Sequence, residues 1–104
     1  MKVSFIYPDV ISKVVDICKS HLNGEKSMDD LQATIQFAES AILAIEENDI
    51  KDFFTSMEGK LELVKFTIDD TDQITESRKI ASEILKWLEA KEKSLRPRGE
   101  FENK

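Results

Sequence analysis

Residues 27–47 read SMDDLQATIQFAESAILAIEE. Leu31, Ile35, Ala38, Ile42 and Ile45 step by 4, 3, 4 and 3, so they fall on one stripe of a helix. Phe37, Ala41 and Ala44 widen that stripe. Ser27 followed three residues later by Asp30 has the form of a capping box, with Asp in place of the commoner Glu. Asp29 and Asp30 place negative charge where the helix dipole is positive. The pattern predicts an amphipathic helix from about Met28 to Glu47, buried along one face.

The flanking segments repeat the period. Upstream, Pro8 suits a first helical turn, where its missing N–H is not needed. Val10, Ile11, Val14, Val15, Ile17, Cys18 and Leu22 follow helical spacing, and Asn23-Gly24 supplies a left-handed stop. Helix 1 is therefore expected at about 9–22. Downstream, Asn48-Asp49 marks a short connection. Ile50, Phe53, Phe54, Met57, Leu61, Val64 and Ile68 again step by threes and fours. Gly59 inside that run costs up to about 1 kcal/mol relative to Ala. It either admits a close neighbouring helix or breaks the segment, leaving LELVKFTI (61–68) as a strand. Glu62 and Lys65 spoil a two-residue alternation, which favours helix. A fourth helix starts within Asp70–Thr75 and carries Ile80, Ile84, Leu85 and Leu88, flanked by Trp87. The first seven residues, MKVSFIY, alternate like an extended segment but have no partner strand. They are expected to lie across the helices or run into the first.

The chain has 104 residues, enough for one domain, and three glycines and two prolines are too few for an all-β fold. The expected architecture is all-α: an antiparallel bundle of about four helices over 1–95, followed by a flexible tail, RPRGEFENK, over 96–104. Neither a membrane-spanning run nor a signal peptide is read, so a cytoplasmic location is the default.

Chemistry-bearing residues are sparse. Cys18 and His21 are the only cysteine and histidine. Together they are too few ligands for a zinc site, and Cys18 belongs to the apolar stripe. His21 is expected near the surface at a helix end. Residues 68–77, IDDTDQITES, invite a calcium reading. An EF-hand loop started at Asp70 would place Ile74 at position 5, Thr75 at position 6 and Ala81 at position 12, where a ligand, glycine and glutamate belong. The spacing excludes it. No nucleophile elbow, phosphate loop or Glu-x-x-His pair is present. Neither an enzyme nor a cofactor-binding protein is expected.

Charge is the informative quantity. The net charge is −6, yet residues 25–76 carry 14 acids against four lysines, a local −10. Such a segment repels nucleic acid and anionic membrane and attracts basic proteins. Two clusters stand out. Glu46, Glu47, Asp49 and Asp52 surround the connection between helices 2 and 3. Asp69, Asp70, Asp72 and Glu76 surround the connection between helices 3 and 4. Antiparallel packing would bring the second cluster beside Asp29 and Asp30. One or two of these acids cap helices; the remainder are either solvated helix ends or a surface complementary to a basic partner. Phe54, Phe66, Tyr7 and Trp87 are the aromatic residues available as anchors there.

A small acidic helical chain with the paired stretches EENDIKDFF (46–54) and IDDTDQITES (68–77) resembles the immunity proteins that neutralise colicin-type and contact-dependent-inhibition toxins of bacteria. That resemblance implies a non-enzymatic inhibitor whose acidic surface covers the active site of a basic nuclease. The alternative is an adaptor bundle that self-associates or scaffolds through an apolar helix face.

Overall fold

A computed structural model describes residues 5–67 and 69–95. Four helices follow one another: α1 (Pro8–Leu22), α2 (Met28–Ala41), α3 (Asn48–Thr67) and α4 (Asp70–Leu95), with a single 3₁₀ turn at Ile45–Glu47 leading into α3. Each helix packs on its neighbours in the chain, and α4 closes the ring against α1. The start of one helix meets the end of the helix packed against it. Asp29 pairs with Lys65, Asp49 with Lys91, and His21 bonds Ser77. The bundle is therefore antiparallel throughout.

The core is the sum of the apolar stripes. Ile11, Val14 and Cys18 of α1 meet Leu31, Ile35 and Ala38 of α2, Ile50, Phe54, Met57 and Leu61 of α3, and Ile80, Ala81, Ile84 and Leu88 of α4. At its side, Phe53 stacks on Trp87 with centroids 4.1 Å apart and planes within 6°. Burying each large aliphatic or aromatic side chain contributes about 1.5–3 kcal/mol, the dominant favourable term here.

The ends form where local chemistry stops or starts a helix. Gly24 takes φ of +81°, donating its N–H to the His21 carbonyl, while Glu25 N–H reaches the Ser20 carbonyl. This double bond pattern closes α1 and leaves a position that side-chain-bearing residues occupy only with strain. At the start of α2 the capping box forms as read. Asp30 N–H donates to Ser27 Oγ at 3.1 Å and Ser27 N–H to Asp30 Oδ2 at 3.2 Å.

Three expectations need correction. α2 ends at Ala41, not Glu47; Ile42 turns to an extended conformation, stays buried, and the chain bends through Leu43 and Ala44. No glycine or proline announces this break. Electrostatics favours it: continuing α2 would put Glu46 and Glu47 at a negative helix end with no base in the last turn, whereas the break leaves both at the positive start of α3. Gly59 is exposed with nothing near the position of an added Cβ, so it serves no close helix approach. His21 is buried, not near the surface. Between the readings of 61–67, helix is correct: Leu61 and Val64 continue the buried stripe of Met57. Residues 1–4, 68 and 96–104, including the proposed tail, lie outside the described residues. The part of the N-terminal segment that is described, Phe5–Tyr7, is non-helical and lies on the bend after α2.

Candidate functional site

Between α2 and α3 runs a polar seam above the core. Buried Gln32 donates through Nε2 to Glu62 Oε1 at 2.5 Å and Glu58 Oε2 at 3.2 Å. Gln36 Nε2 also donates to Glu58 Oε2, at 3.2 Å, and Thr55 Oγ1 donates to Glu39 Oε2 at 2.7 Å. Asp29 closes the row through Lys65, 2.7 Å away. Three of these four carboxylates are held by neutral donors and one by a cation. At Glu39, Glu58 and Glu62 the seam therefore satisfies hydrogen bonds without cancelling charge, and Asp29 is the member that a cation neutralises. Gln32, Glu39, Glu58 and Glu62 were not singled out from sequence. Their signal was weak: Gln32 sits one position beyond the apolar stripe, and lone glutamates read as solvated surface.

The acids expected at the α3–α4 connection divide by role. Asp30 is spent on its capping box, and the Ser27 backbone N–H, then its hydroxyl, hold the Asp30 carboxyl below its ordinary value. Glu76 pairs with Lys79 at 3.0 Å. Asp69 starts α4 through its carbonyl, which accepts from Asp72 N–H at 2.8 Å and Gln73 N–H at 3.0 Å. The Asp69 and Asp72 side chains are exposed and form no ion pair with another described residue. The Asp70 side chain lies outside the described residues. The Asp29–Lys65 pair sets this connection beside the start of α2, which is the juxtaposition that antiparallel packing requires. Leu63 and Phe66 are exposed on the same end of α3, Phe66 at 78% of its surface and one turn beyond Glu62.

At the opposite end the second cluster splits further. Glu46 and Asp52 are exposed and unpaired among the described residues. Asp49 is tied to Lys91, and that bond is the main cause holding its carboxyl below the ordinary value. Glu47 departs from expectation: it is 5% exposed and cannot be a solvent-facing patch residue as it stands. Its Oε2 accepts the Ile6 N–H at 2.7 Å, and its Oε1 has no hydrogen-bond partner among the described residues. The burial follows from the break after Ala41, which turns the chain inward at Glu47 under Phe5–Tyr7. Around it the apolar side chains point outward instead, with Leu43 75% and Ile45 80% exposed.

Of the aromatic candidates, Phe54 is core, Trp87 is half-buried against Phe53, and the Tyr7 hydroxyl accepts the Leu43 N–H at 3.3 Å. Only Phe66 stands free. Among the described residues no group of three or more His, Cys, Asp or Glu side chains is arranged to hold a metal ion, and no helix is long and apolar enough to cross a membrane.

Compared with known proteins, the chain matches no family model, and no curated protein or solved structure matches it significantly.

Proposed function

We propose that the protein is a non-enzymatic inhibitor that binds a basic protein partner through its acidic α2–α3 side. The observation that carries this reading is the seam of Glu62, Glu58 and Glu39, whose carboxylates are fixed by neutral Gln and Thr donors with their charge uncancelled, while Asp29 at its end is paired with Lys65. Exposed Asp69 and Asp72 extend the negative surface at one end, and Glu46 and Asp52 at the other. Fixed carboxylates steer a basic partner and set its register, and exposed Phe66, one turn beyond Glu62, offers apolar contact beside them. The immunity-protein reading, in which that partner is a nuclease toxin and the carboxylates stand in for phosphates, is the specific form of this proposal.

The test is capture of partners from the native organism on immobilised protein, eluted with a salt step. A basic protein in stoichiometric amount, released by salt and lost when Glu58 and Glu62 are both changed to Lys, supports the reading. Recovery that neither salt nor that double change affects overturns it. The adaptor reading is favoured by exposed Leu43 and Ile45 and predicts a concentration-dependent dimer in light scattering.

A further inference from the structure

Glu47 is the one buried side chain among the described residues with an unpartnered oxygen. A buried carboxylate oxygen without a donor is costly, and natural structures leave few of them. Removing it from water gains nothing for the fold that a glutamine or an apolar residue would not provide. The oxygen lies under a roof made of non-helical backbone. Phe5–Tyr7 crosses the bend at 42–47, and two bonds hold the crossing: Ile6 N–H to Glu47 Oε2 at 2.7 Å and Leu43 N–H to the Tyr7 hydroxyl at 3.3 Å. Neither of these two bonds is part of a helix ladder, while Phe5 and Tyr7 also rest on the core and the Tyr7 carbonyl accepts the Ile11 N–H at the start of α1. Exposed Ile6, Leu43 and Ile45 surround it. Outside them stand the unpaired acids Glu46 and Asp52, while the Lys91 ammonium is occupied by Asp49.

From this arrangement we infer that the α2–α3 corner is a contact point for a basic side chain of the partner protein, seated on Glu47 and flanked by apolar residues. The inference rests on the acidic-surface reading above and gives it a location. An arginine or lysine entering beside the Phe5–Tyr7 segment would supply the donor that Oε1 lacks. A guanidinium suits the site best, because its fork can engage both carboxylate oxygens if the Ile6 N–H is displaced. Leu43 and Ile45 then close over the stem of that side chain and exclude water, which strengthens the charged bond. Glu46 and Asp52 attract the cation before contact.

The experiment is a backbone-amide NMR titration of the full chain with the capped tripeptide Leu-Arg-Leu, and with Leu-citrulline-Leu, whose urea group has the same shape without charge. Saturable shifts are expected at Ile6, Tyr7, Leu43 and Glu47 with the arginine peptide. Binding should weaken at least tenfold with the citrulline peptide and at least tenfold in Glu47→Gln. Leu43→Ala, at an exposed position that does not threaten folding, should weaken it severalfold. Unchanged binding in a folded Glu47→Gln protein, or equal binding of both peptides, overturns the inference. Saturable shifts confined to residues 58–76 also overturn it but leave the acidic-surface reading standing. The absence of saturable shifts anywhere at low salt overturns both.

Discussion

His21 Nε2 and Ser77 Oγ lie 2.8 Å apart and join the last turn of α1 to α4 in the interior of the bundle. On the other side of the ring, Nδ1 lies 2.9 Å from the Lys26 carbonyl, which only accepts, so Nδ1 carries a proton. With the ring neutral, the Ser77 hydroxyl donates to Nε2. With the ring cationic, Nε2–H donates to Ser77 Oγ, whose own hydrogen turns to the Ile74 carbonyl 3.1 Å away. Either way a buried imidazole has both nitrogens satisfied, and three elements (α1, the loop before α2, and α4) are pinned at one point.

Ser77→Ala therefore leaves Nε2 buried and unpaired. The cost expected is about 1–3 kcal/mol of unfolding free energy. Urea denaturation followed by circular dichroism measures it. An unchanged midpoint would show that the hydroxyl has no structural role.

Glu47→Gln is expected to move stability the other way or not at all. It keeps an oxygen acceptor for the Ile6 N–H and removes a buried charge that has an unpartnered oxygen, exchanging it for a less costly neutral amide. The predicted change lies between zero and a gain of about 2 kcal/mol. A loss of more than about 1 kcal/mol, read by thermal melting, would mean that the carboxylate is serving the fold.

Burial pushes the Cys18 thiol up to about 12. The thiolate is the reactive species, so native protein should alkylate far more slowly than urea-unfolded protein at pH 8. The same shift ties stability to pH. The folded-state value lies above that of the unfolded thiol, so the contribution is complete below about pH 8.5 and falls away as pH rises toward the folded value. Native alkylation at the rate of the unfolded chain would contradict the packing of α1.

Asp49 titrates in the opposite sense. Its folded-state value is lowered, chiefly by the Lys91 bond, so its contribution is present at neutral pH and is lost as pH falls below about 4. The pair is half exposed, which keeps its worth to about 1 kcal/mol at most. Asp49→Asn should flatten the acid limb of a stability profile slightly and leave stability at neutral pH lower than wild type by that small amount. An acid limb identical to wild type would remove Lys91–Asp49 from the account.

Phe66→Ser, at a position 78% exposed, should leave the melting temperature within about 2 °C, because little apolar area is lost from the core. If the α2–α3 side is the contact surface, the same change should weaken partner binding. A large fall in melting temperature would show that Phe66 packs more fully than its exposure indicates.

Much of the bundle was legible in the chain because it depends on local rules. The 3.6-residue stripes of α1, α3 and α4, the Asn23-Gly24 stop and the Ser27/Asp30 box are each encoded within a few neighbouring residues. The break after Ala41 was not legible. The stripe Ile35, Ala38, Ile42 and Ile45 continues unbroken across it, and no glycine or proline stands there to stop a helix. Placement of the acids was half legible: the link between the start of α2 and the α3–α4 connection follows from helix order alone.

By itself the sequence determined four amphipathic helices, their approximate limits apart from the end of α2, and a surplus of negative charge in the middle of the chain, since periodicity, capping and charge count are properties of neighbours along the backbone. Only tertiary structure decided which carboxylates face water, which are clasped by Gln32, Gln36 and Thr55, and that Glu47 is drawn inside while Leu43 and Ile45 turn out. The reason is that Glu46 and Glu47 have two helices to choose between. They are unfavourable at the end of α2 and favourable at the start of α3, and the Ile6 and Tyr7 contacts that fix the choice come from the far end of the sequence.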